Sequence, residues 1–426
     1  MEHDKLYLAM FLQPEPEPEL PAALPASQPE PQQLWVVVPP DAAGGTGGAS
    51  AMMDIRQMAF SHSQSHVAVL LAQLGSGGSY FVDASYSALC GLFVAAARDK
   101  TASPFVCALV AQATPQQHRM ILSELLAYEY GLPALVRCST VAAHCMRALV
   151  TDRCAPEEVA WIQMGLAGHV VELLCGRASS KVVVAYFQAR ASAAETQFII
   201  DEICRDIKAC AWNKHGAAAL RVLVGAASPE QMVYFAWAIA EKNLAVNFAK
   251  GQTPNYFLQH VLDVAVPAEL AQPTGAVYTA TIISEIMGQF DELAQNRICS
   301  NVVQVCIKHA AATGPGAAPH TFNAVLERLC TTTEEATASL NTLCLHKYAN
   351  YVMQDVINYC PEAYVDRLAE RIKLVCMTEL LGNQRPAAAR RILETLEQRE
   401  KQQQEEESKP VVMPSEAASD DASEAA

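Results

Sequence analysis

The chain has 426 residues, of which 51% are hydrophobic and 18% charged, and its formal net charge is −15. The hydrophobic content suffices for a large core, and the length fits two or three domains or one long helical array. Residues 1–50 and 398–426 hold 4 of the 30 Lys and Arg and 15 of the 45 Asp and Glu, so residues 51–397 carry 26 basic and 30 acidic groups, a net of −4. This balance excludes nucleic-acid binding through bulk positive charge, so any such site must depend on local placement and stacking.

Several classes of protein are disfavoured by the sequence. No apolar run is long enough for a membrane span, so no membrane contact is expected. Glu2 and Asp4 stand where a secretory signal carries basic residues, which predicts that the chain is not exported. The 14 cysteines include no C-x-x-C pair, so we expect small buried hydrophobic residues rather than ligands. We therefore predict no metal site, no cofactor and no enzymatic activity.

The N-terminal 52 residues have a composition typical of disorder. Pro-Glu repeats occupy residues 13–19, and a Gly-rich stretch follows Asp41. Between them lies a short apolar run at 34–38, which is either an incidental patch in a linker or a short partner-binding motif. We predict that residues 1–52 form a disordered N-terminal region.

From residue 65 onward, a short pattern recurs: a small or polar pair, two apolar residues, one further residue and more apolar residues. We call the first five residues of each copy a pentad. The first five intervals between the starts of successive pentads are 37 to 40 residues, a period typical of a helical solenoid. The last two intervals are 45 and 50 residues, because Pro/Gly-rich insertions at 267–275 and 313–319 lengthen them. The eight pentads begin at Ser65, Ser103, Ala143, Ser180, Ala217, Asn255, Ser300 and Asn350.

Helix-start signals lie between the pentads. At Thr114, Ala155 and Ser228, the next residue is proline, and Glu or Gln follows within the first turn. Proline in the first turn together with Glu or Gln favours a helix N-terminus. These signals predict a further helix between successive pentads, and hence an all-α fold.

The last three pentads carry side chains suited to reading a base. Asn350 and Gln354 are four residues apart, so both amides project from one helix face beside Tyr351. An amide offers a donor and an acceptor to a base edge, and a ring can stack on the face of a base. The equivalent residues are Ser300, Asn301 and Gln304 in the seventh pentad and Asn255, Tyr256 and Gln259 in the sixth.

The pentad that begins at Asn350, Asn-Tyr-x-x-Gln, closely resembles the base-reading pentad of the Pumilio (PUF) family. The resemblance implies a right-handed, armadillo-like α-solenoid of about eight repeats over residues 53–397. It also implies that residues 390–397 belong to the C-terminal half-repeat that caps such arrays. Residues 398–426 begin as a charged helix and are predicted to end as an acidic, disordered tail.

In this family each repeat reads one RNA base through the first and fifth pentad residues, while the second residue stacks. The resemblance implies that the sixth and eighth pentads read uracil. The seventh has Gln304 where Glu would select guanine, so it suits adenine or accepts either purine. Because RNA runs antiparallel to the repeats, the implied 5′ core is U-purine-U. The stacking positions are held by Tyr351, Asn301 and Tyr256.

The other five pentads depart from this pattern at the fifth position, where they carry Val69, Cys107, Arg147, Val184 and Arg221. Valine forms no hydrogen bond with a base edge, and cysteine forms only a weak one. Basic residues on these helices either contact RNA or are solvated and pair with local acids, and the sequence leaves both readings open. The candidates for weaker RNA contacts are Arg147, His144, Arg221, Lys181 and His66.

These features favour sequence-specific, non-catalytic binding of single-stranded RNA. The expected targets are 3′ untranslated regions of mRNA in the cytoplasm, regulated together with proteins bound to the convex face or the tails. Two alternatives stay open: a nucleolar protein of the same fold that acts in rRNA processing, and an α-solenoid scaffold that binds proteins and has lost RNA binding.

Overall fold

In a computed structural model of the chain, the described residues are 35–38, 51–76, 78–129, 131–151, 154–190, 192–271, 278–312, 319–382 and 386–407. Apart from two short strands, they form α-helices joined by short loops. None of the helices in these ranges is both long and apolar enough to cross a membrane. The chain divides into two compact units, unit 1 up to Ala238 and unit 2 from Ile239 onward.

Unit 1 opens with two strands, β1 (Trp35–Val38) and β2 (Ala51–Asp54). They pair antiparallel, with Trp35 opposite Asp54 and Val38 opposite Ala51. The sequence analysis assigned no regular structure to this region, because prolines and glycines dominate its composition. The three valines of β1 are β-branched and favour a strand, so the apolar run at 34–38 carried a local signal that the composition concealed. The remaining residues before 51 lie outside the described residues.

The helices of unit 1 follow the predicted period. They are α1 (Ile55–Ala59), α2 (Gln64–Ser76), α3 (Gly78–Leu89), α4 (Phe93–Arg98), α5 (Ser103–Gln112), α6 (Pro115–Leu126), α7 (Gly131–Cys138), α8 (Thr140–Leu149), α9 (Pro156–Leu166), α10 (Val170–Leu174), α11 (Ser180–Gln188), α12 (Ala193–Arg205), α13 (Ile207–Trp212), α14 (Lys214–Val224) and α15 (Pro229–Glu241), the last of which continues into unit 2. The helices that carry the first five pentads pack in sequence order, α2 on α5, α5 on α8, α8 on α11 and α11 on α14.

Unit 2 continues the same arrangement. Its helices are α16 (Ala245–Lys250), α17 (Pro254–Ala271), α18 (Tyr278–Met287), α19 (Phe290–Ala294), α20 (Cys299–Ala312), α21 (Pro319–Cys330), α22 (Glu334–Leu345), α23 (Ala349–Asn358), α24 (Glu362–Gly382) and α25 (Pro386–Glu407). Helices α17, α20 and α23 carry the last three pentads and pack in that order, and α25 packs on α23. Helix α25 crosses residue 397, so the half-repeat and the start of the charged segment belong to one helix, and residues 408–426 lie outside the described part.

Side-chain exposure reproduces the predicted pentad register. In seven of the eight pentads the first residue is buried, the second is exposed, and the third and fourth are buried. The first pentad differs, because Ser65 and Ala68 are both exposed. Helix α2 instead buries Val67, Leu70 and Leu74, a helical spacing that turns Ala68 outward. The predicted register is confirmed from Ser103 onward and is wrong at Ser65.

Four of the eight pentad helices share a local start four residues before the first pentad position. Asp99, Ser139, Asn213 and Asn296 stand there, and each side-chain oxygen accepts hydrogen bonds from backbone N–H groups two or three residues later. These bonds satisfy donors that the first turn of a helix leaves unpaired. The capping position is therefore the same in these four repeats, whereas glycine stands there in the fourth and sixth, at Gly176 and Gly251.

The helix starts predicted between the pentads are confirmed. Helices α6, α9 and α15 each begin at the expected proline. At Thr114 and at Ser228 the hydroxyl accepts from the backbone N–H three residues later, and a glutamine returns a bond to the backbone N–H of the cap. Ala155 has no side-chain acceptor, so only the returning bond from its N–H to Glu158 is present, over 2.8 Å.

Candidate nucleic-acid interface

Three consecutive helices of unit 2, α17, α20 and α23, place their pentads side by side. We call their second and fifth pentad side chains the reading surface, which consists of Tyr256, Gln259, Asn301, Gln304, Tyr351 and Gln354. The second residues are exposed and the fifth are half-buried. Because the first and the third to fourth residues of each pentad are buried, the packing of the helices fixes which side chains point outward.

In the sixth repeat, a chain of hydrogen bonds orients the glutamine. Asn255 is only 2% exposed, and its Nδ2 donates to the backbone carbonyls of Gly251 and Gln252 over 2.8 and 2.7 Å. Carbonyls only accept, so the Asn255 amide has one allowed rotation, and its Oδ1 faces Gln259. Gln259 then donates Nε2–H to that oxygen over 3.0 Å. Gln259 is left with one N–H and its Oε1 for a further partner.

The eighth repeat repeats this arrangement. Asn350 is also 2% exposed, and its Nδ2 donates to the His346 carbonyl over 2.7 Å. Gln354 Nε2 donates to the Asn350 backbone oxygen over 3.2 Å and lies 3.5 Å from its Oδ1. The sequence analysis placed both amides of each pair on the base edge. In the structure the asparagine is buried and accepts from the glutamine, which is half-buried, and the reading of a base by both amides stays a prediction.

The seventh repeat anchors its glutamine differently. Ser300 is buried at the first pentad position, and Gln304 Nε2 donates to Asp355 Oδ2 over 2.6 Å. Asp355 belongs to α23 and directly follows Gln354, so this bond links two neighbouring repeats. Burial raises the pKa of the half-buried Asp355 carboxyl, and the hydrogen bond from Gln304 acts in the opposite direction.

The two tyrosines of the reading surface are exposed to different extents. Tyr256 is 64% exposed, whereas Tyr351 is 46% exposed. Arg391 of α25 donates to the Tyr351 hydroxyl over 2.9 Å, and its guanidinium carbon lies 5.7 Å from the ring centroid. The third stacking candidate, Asn301, is exposed but offers no ring. Unit 2 thus presents two aromatic surfaces with one polar side chain between them in sequence order.

In unit 1, most of the candidates for weaker contacts are accessible. His144, Arg147, Lys181 and Arg221 are exposed, and within the described part of the chain none of them takes part in an ion pair. His66 is half-buried, and its Nδ1 lies 2.8 Å from the Ser61 hydroxyl. The reading that the two arginines pair with local acids therefore receives no support from the described residues.

Cys107, the fifth residue of the second pentad, has a neighbour that the sequence did not indicate. Its Sγ lies 3.3 Å from the Sγ of Cys145, the buried third residue of the next pentad. The hydrogen bond with Cys145 lowers the pKa of the Cys107 thiol; burial opposes this change, and Arg147 assists it. The same contact, together with burial, raises the pKa of Cys145.

One group of metal-ligating residues lies elsewhere in unit 1. Ligand atoms of His118, Cys154 and Glu158 lie within 4.8 Å of one another. His118 Nε2 and Cys154 Sγ contact the Leu149 carbonyl at 3.0 and 3.3 Å, and Glu158 accepts the Ala155 N–H over 2.8 Å. Each residue thus has a hydrogen-bond partner within the protein, so the contacts account for the group as a helix-capping network.

Sequence reasoning gave no role to two residues that contact the reading surface, Asp355 and Arg391. Both lie outside the pentads, and both reach a pentad side chain of a neighbouring helix. Asp355 had a weak signal, because it is a carboxylate next to Gln354, a predicted base-reading residue, and a negative charge there would oppose RNA phosphates. Arg391 lies in the segment assigned to the capping half-repeat, and nothing in that assignment gives it a role toward Tyr351.

Within each unit, successive pentad-bearing helices pack on one another in sequence order, with further helices between them, so this chain is a helical-repeat protein. Residues 340–373 match the Pumilio-family RNA binding repeat. No curated protein sequence matches the chain. The match covers the eighth pentad, so the suspected resemblance to the Pumilio family is confirmed there by sequence.

Solved structures extend the likeness to the fold of most of the chain. The RNA-binding domain of yeast Puf5p bound to SMX2 RNA has a TM-score of 0.66 at 18% identity, covering 82% of this chain and 97% of that one. The Puf4 RNA binding domain bound to the HO endonuclease RNA 3′ UTR recognition sequence has a TM-score of 0.61 at 18% identity, covering 78% and 96%. PUF-8 in complex with PBE-RNA has a TM-score of 0.58 at 14% identity, covering 79% and 90%. The chain therefore has the Pumilio-repeat α-solenoid fold, and the predicted fold class is confirmed.

Proposed function

We propose that this protein binds single-stranded RNA sequence-specifically and without catalysis, and that its sixth to eighth repeats read a 5′ U-purine-U core. Base-edge contacts come from Gln259, Gln304 and Gln354 at the surface, together with the first residues of the same pentads, Asn255, Ser300 and Asn350. The stacking positions are Tyr256, Asn301 and Tyr351. The Puf4, Puf5p and PUF-8 domains, which share the fold, were solved with RNA bound.

The observation that carries this proposal is the oriented glutamine. In the sixth repeat the bond from Gln259 to the fixed Asn255 oxygen leaves one N–H and Oε1 available. Uracil offers an acceptor, O4, beside a donor, N3–H, so one amide pairs with both. Packing a scaffold does not require a buried asparagine that holds a surface glutamine, because a plain apolar contact would stabilise the helix equally well.

Stacking supplies the second part of the affinity. Each base stacked on an aromatic ring contributes about 1–3 kcal/mol, and stacking tolerates any base. The two tyrosines therefore favour RNA in general, and the glutamines select among bases. Because residues 51–397 carry a net charge of −4, we expect binding to depend only weakly on salt.

Substitution of the two predicted base-reading residues of the eighth repeat tests the proposal. The double variant Asn350→Ser/Gln354→Glu places a carboxylate where it accepts from the N1–H and N2–H of guanine, whereas uracil O4 then faces an acceptor. We expect the 5′ preference to change from U to G by about 1–3 kcal/mol, with the other two positions unchanged. Binding is measured on RNAs that differ only at the 5′ base of the core.

The matched control is Val184→Glu, which introduces the same carboxylate at the fifth position of the fourth pentad. It should leave the preference at all three core positions unchanged, because that pentad has no reading glutamine. If wild type and the double variant rank the four bases alike, the pentads do not read RNA. The protein-binding scaffold then becomes the better explanation of the fold.

We further propose that the bound RNAs are mRNA 3′ untranslated regions in the cytoplasm, and that regulatory proteins join through other surfaces or the chain ends. The 3′ UTR sequence bound by Puf4 supports this choice of target. Crosslinking the protein to RNA in cells, followed by sequencing, tests both points. Enrichment of precursor rRNA would favour the nucleolar alternative instead.

A further inference from the structure

The seventh repeat lacks the support that its neighbours use. In the sixth and eighth repeats an asparagine four residues earlier on the same helix accepts from the reading glutamine. Ser300 occupies that position in α20, and Gln304 bonds instead to Asp355 of α23 over 2.6 Å. The anchor of this glutamine is therefore supplied by the next repeat.

General electrostatic attraction of RNA does not explain why a carboxylate stands at position 355. Its half-buried carboxylate lies beside the reading surface, where a negative charge opposes phosphate binding. Among the described residues it forms no ion pair, and its hydrogen bond comes from the Gln304 amide. Partial burial of a carboxylate without a cation costs free energy, so its position calls for a compensating role.

A carboxylate restricts the glutamine more strongly than an amide would. Ionised Asp355 only accepts, so Gln304 must direct an N–H toward it. A half-turn of the Gln304 amide would set Oε1 against the carboxylate oxygen. Hydrogen bonds to an ionised group are also the stronger ones, so this rotation is firmly held.

We propose that Asp355 is a specificity-determining residue of the seventh repeat, which fixes the Gln304 amide in one rotation and so makes this repeat discriminate between adenine and guanine. This inference rests on the proposed RNA-reading function. Adenine presents the N6–H donor and then the N1 acceptor along its edge. Guanine presents the O6 acceptor and then the N1–H donor at the same places. An amide that turned freely would pair with either purine, whereas a fixed amide pairs with one.

The test compares RNAs that carry A or G at the middle position of the U-purine-U core. Wild type should bind one of the two purine RNAs about 10-fold more tightly than the other, the discrimination of one well-placed bidentate contact. In Asp355→Asn the side chain keeps its shape but can donate or accept, so both rotations of Gln304 are satisfied. The ratio should then fall to within about 2-fold, while selection of U at the flanking positions is retained.

The control for lost charge is Asp263→Asn. Asp263 is another carboxylate of unit 2, and it contacts His309 Nε2 at 2.9 Å and Lys308 Nζ at 3.6 Å rather than a reading glutamine. Both variants remove one negative charge, but only Asp355→Asn should change the ratio of adenine to guanine binding. Equal thermal unfolding midpoints of the two variants show that the change does not come from unfolding.

A second variant moves the anchor back to the same helix. In Ser300→Asn/Asp355→Asn, the seventh pentad acquires the Asn-x-x-x-Gln pattern of its neighbours, and the middle preference should become uracil. The proposal is overturned if wild type separates the purines by less than 2-fold. It is also overturned if Asp355→Asn leaves the ratio unchanged. Failure of the proposed function looks different, because wild type would then show no selection of U at the flanking positions either.

Discussion

Arg391 donates a hydrogen bond to the hydroxyl of Tyr351 over 2.9 Å while its guanidinium lies 5.7 Å from the centre of the same ring. The contact joins the last helix of the array to the eighth pentad. It holds the ring in one orientation and places a positive charge where the 5′ end of the RNA would enter. A base stacked on the other face of Tyr351 would thus find a ring that is already immobilised.

The first prediction concerns this pair. Arg391→Ala should weaken binding of a U-purine-U RNA by about 0.5–1 kcal/mol, the contribution of an exposed cation–π contact. The adjacent Arg390 is also exposed to solvent and carries the same charge. Arg390→Ala is therefore the control, and it should reduce affinity less than Arg391→Ala. Fluorescence anisotropy on one RNA measures both variants. Equal losses for the two would mean that Arg391 acts only through its charge.

The second prediction separates stacking from general exposure of tyrosine. Tyr256→Ala should weaken RNA binding by about 1–3 kcal/mol, because a stacked base loses its platform. Tyr80 is 63% exposed, close to the 64% of Tyr256, but it lies on α3, which carries no pentad. Tyr80→Ala should leave affinity unchanged in the same titration. A similar loss in both variants would contradict a specific role for Tyr256.

The third prediction concerns the reactivity of Cys107. The hydrogen bond between the thiols of Cys107 and Cys145 lowers the pKa of Cys107, so its thiolate persists to lower pH than that of an ordinary cysteine. Alkylation of Cys107, followed by mass spectrometry across a pH series, should therefore begin at lower pH than in a free thiol. In Cys145→Ala the onset should move to higher pH.

Two comparisons make this test specific. Cys145→Ser keeps a hydroxyl donor in place of the thiol, so it should retain most of the reactivity of Cys107. Cys306 is buried, and burial raises the pKa of its thiol, so it should stay unmodified over the same range. Identical pH profiles for Cys107 in wild type and in Cys145→Ala would show that the hydrogen bond does not control the thiolate.

Much of the fold could be predicted because its signals are local. The starts at Thr114 and Ser228 depend on residues three apart, and the pentads depend on helical spacing within a single turn or two. The assignment at Ser65 failed for the same reason: its small and apolar residues fit the pattern, while the packing of α2 selected another face. The strand Trp35–Val38 was missed because its pairing partner lies beyond a Gly-rich segment that suggested disorder.

The site was predicted less completely, because its decisive contacts are not local. Gln304 and Asp355 are 51 positions apart, and they meet only when α20 packs on α23. Likewise, the sequence could not show that Asn255 is buried beneath Gln259, since two amides on one helix face look equivalent until a neighbouring loop covers one of them. The sequence pattern predicted that these residues lie on one helix face, and tertiary packing determines which of them are buried and which are exposed.

The second to fifth pentads share one pattern of burial, with the second position exposed and the first, third and fourth buried, and this has a practical consequence. In these repeats the second position is already at the surface, as at Pro104, His144, Lys181 and Ala218. Substitutions at the first, second and fifth positions of such a pentad could introduce two base-reading side chains and one stacking ring. The apolar third and fourth residues would remain unchanged. Under the proposed function, substitutions at these three positions would therefore change which base a repeat prefers without changing the buried third and fourth residues that stabilise the fold.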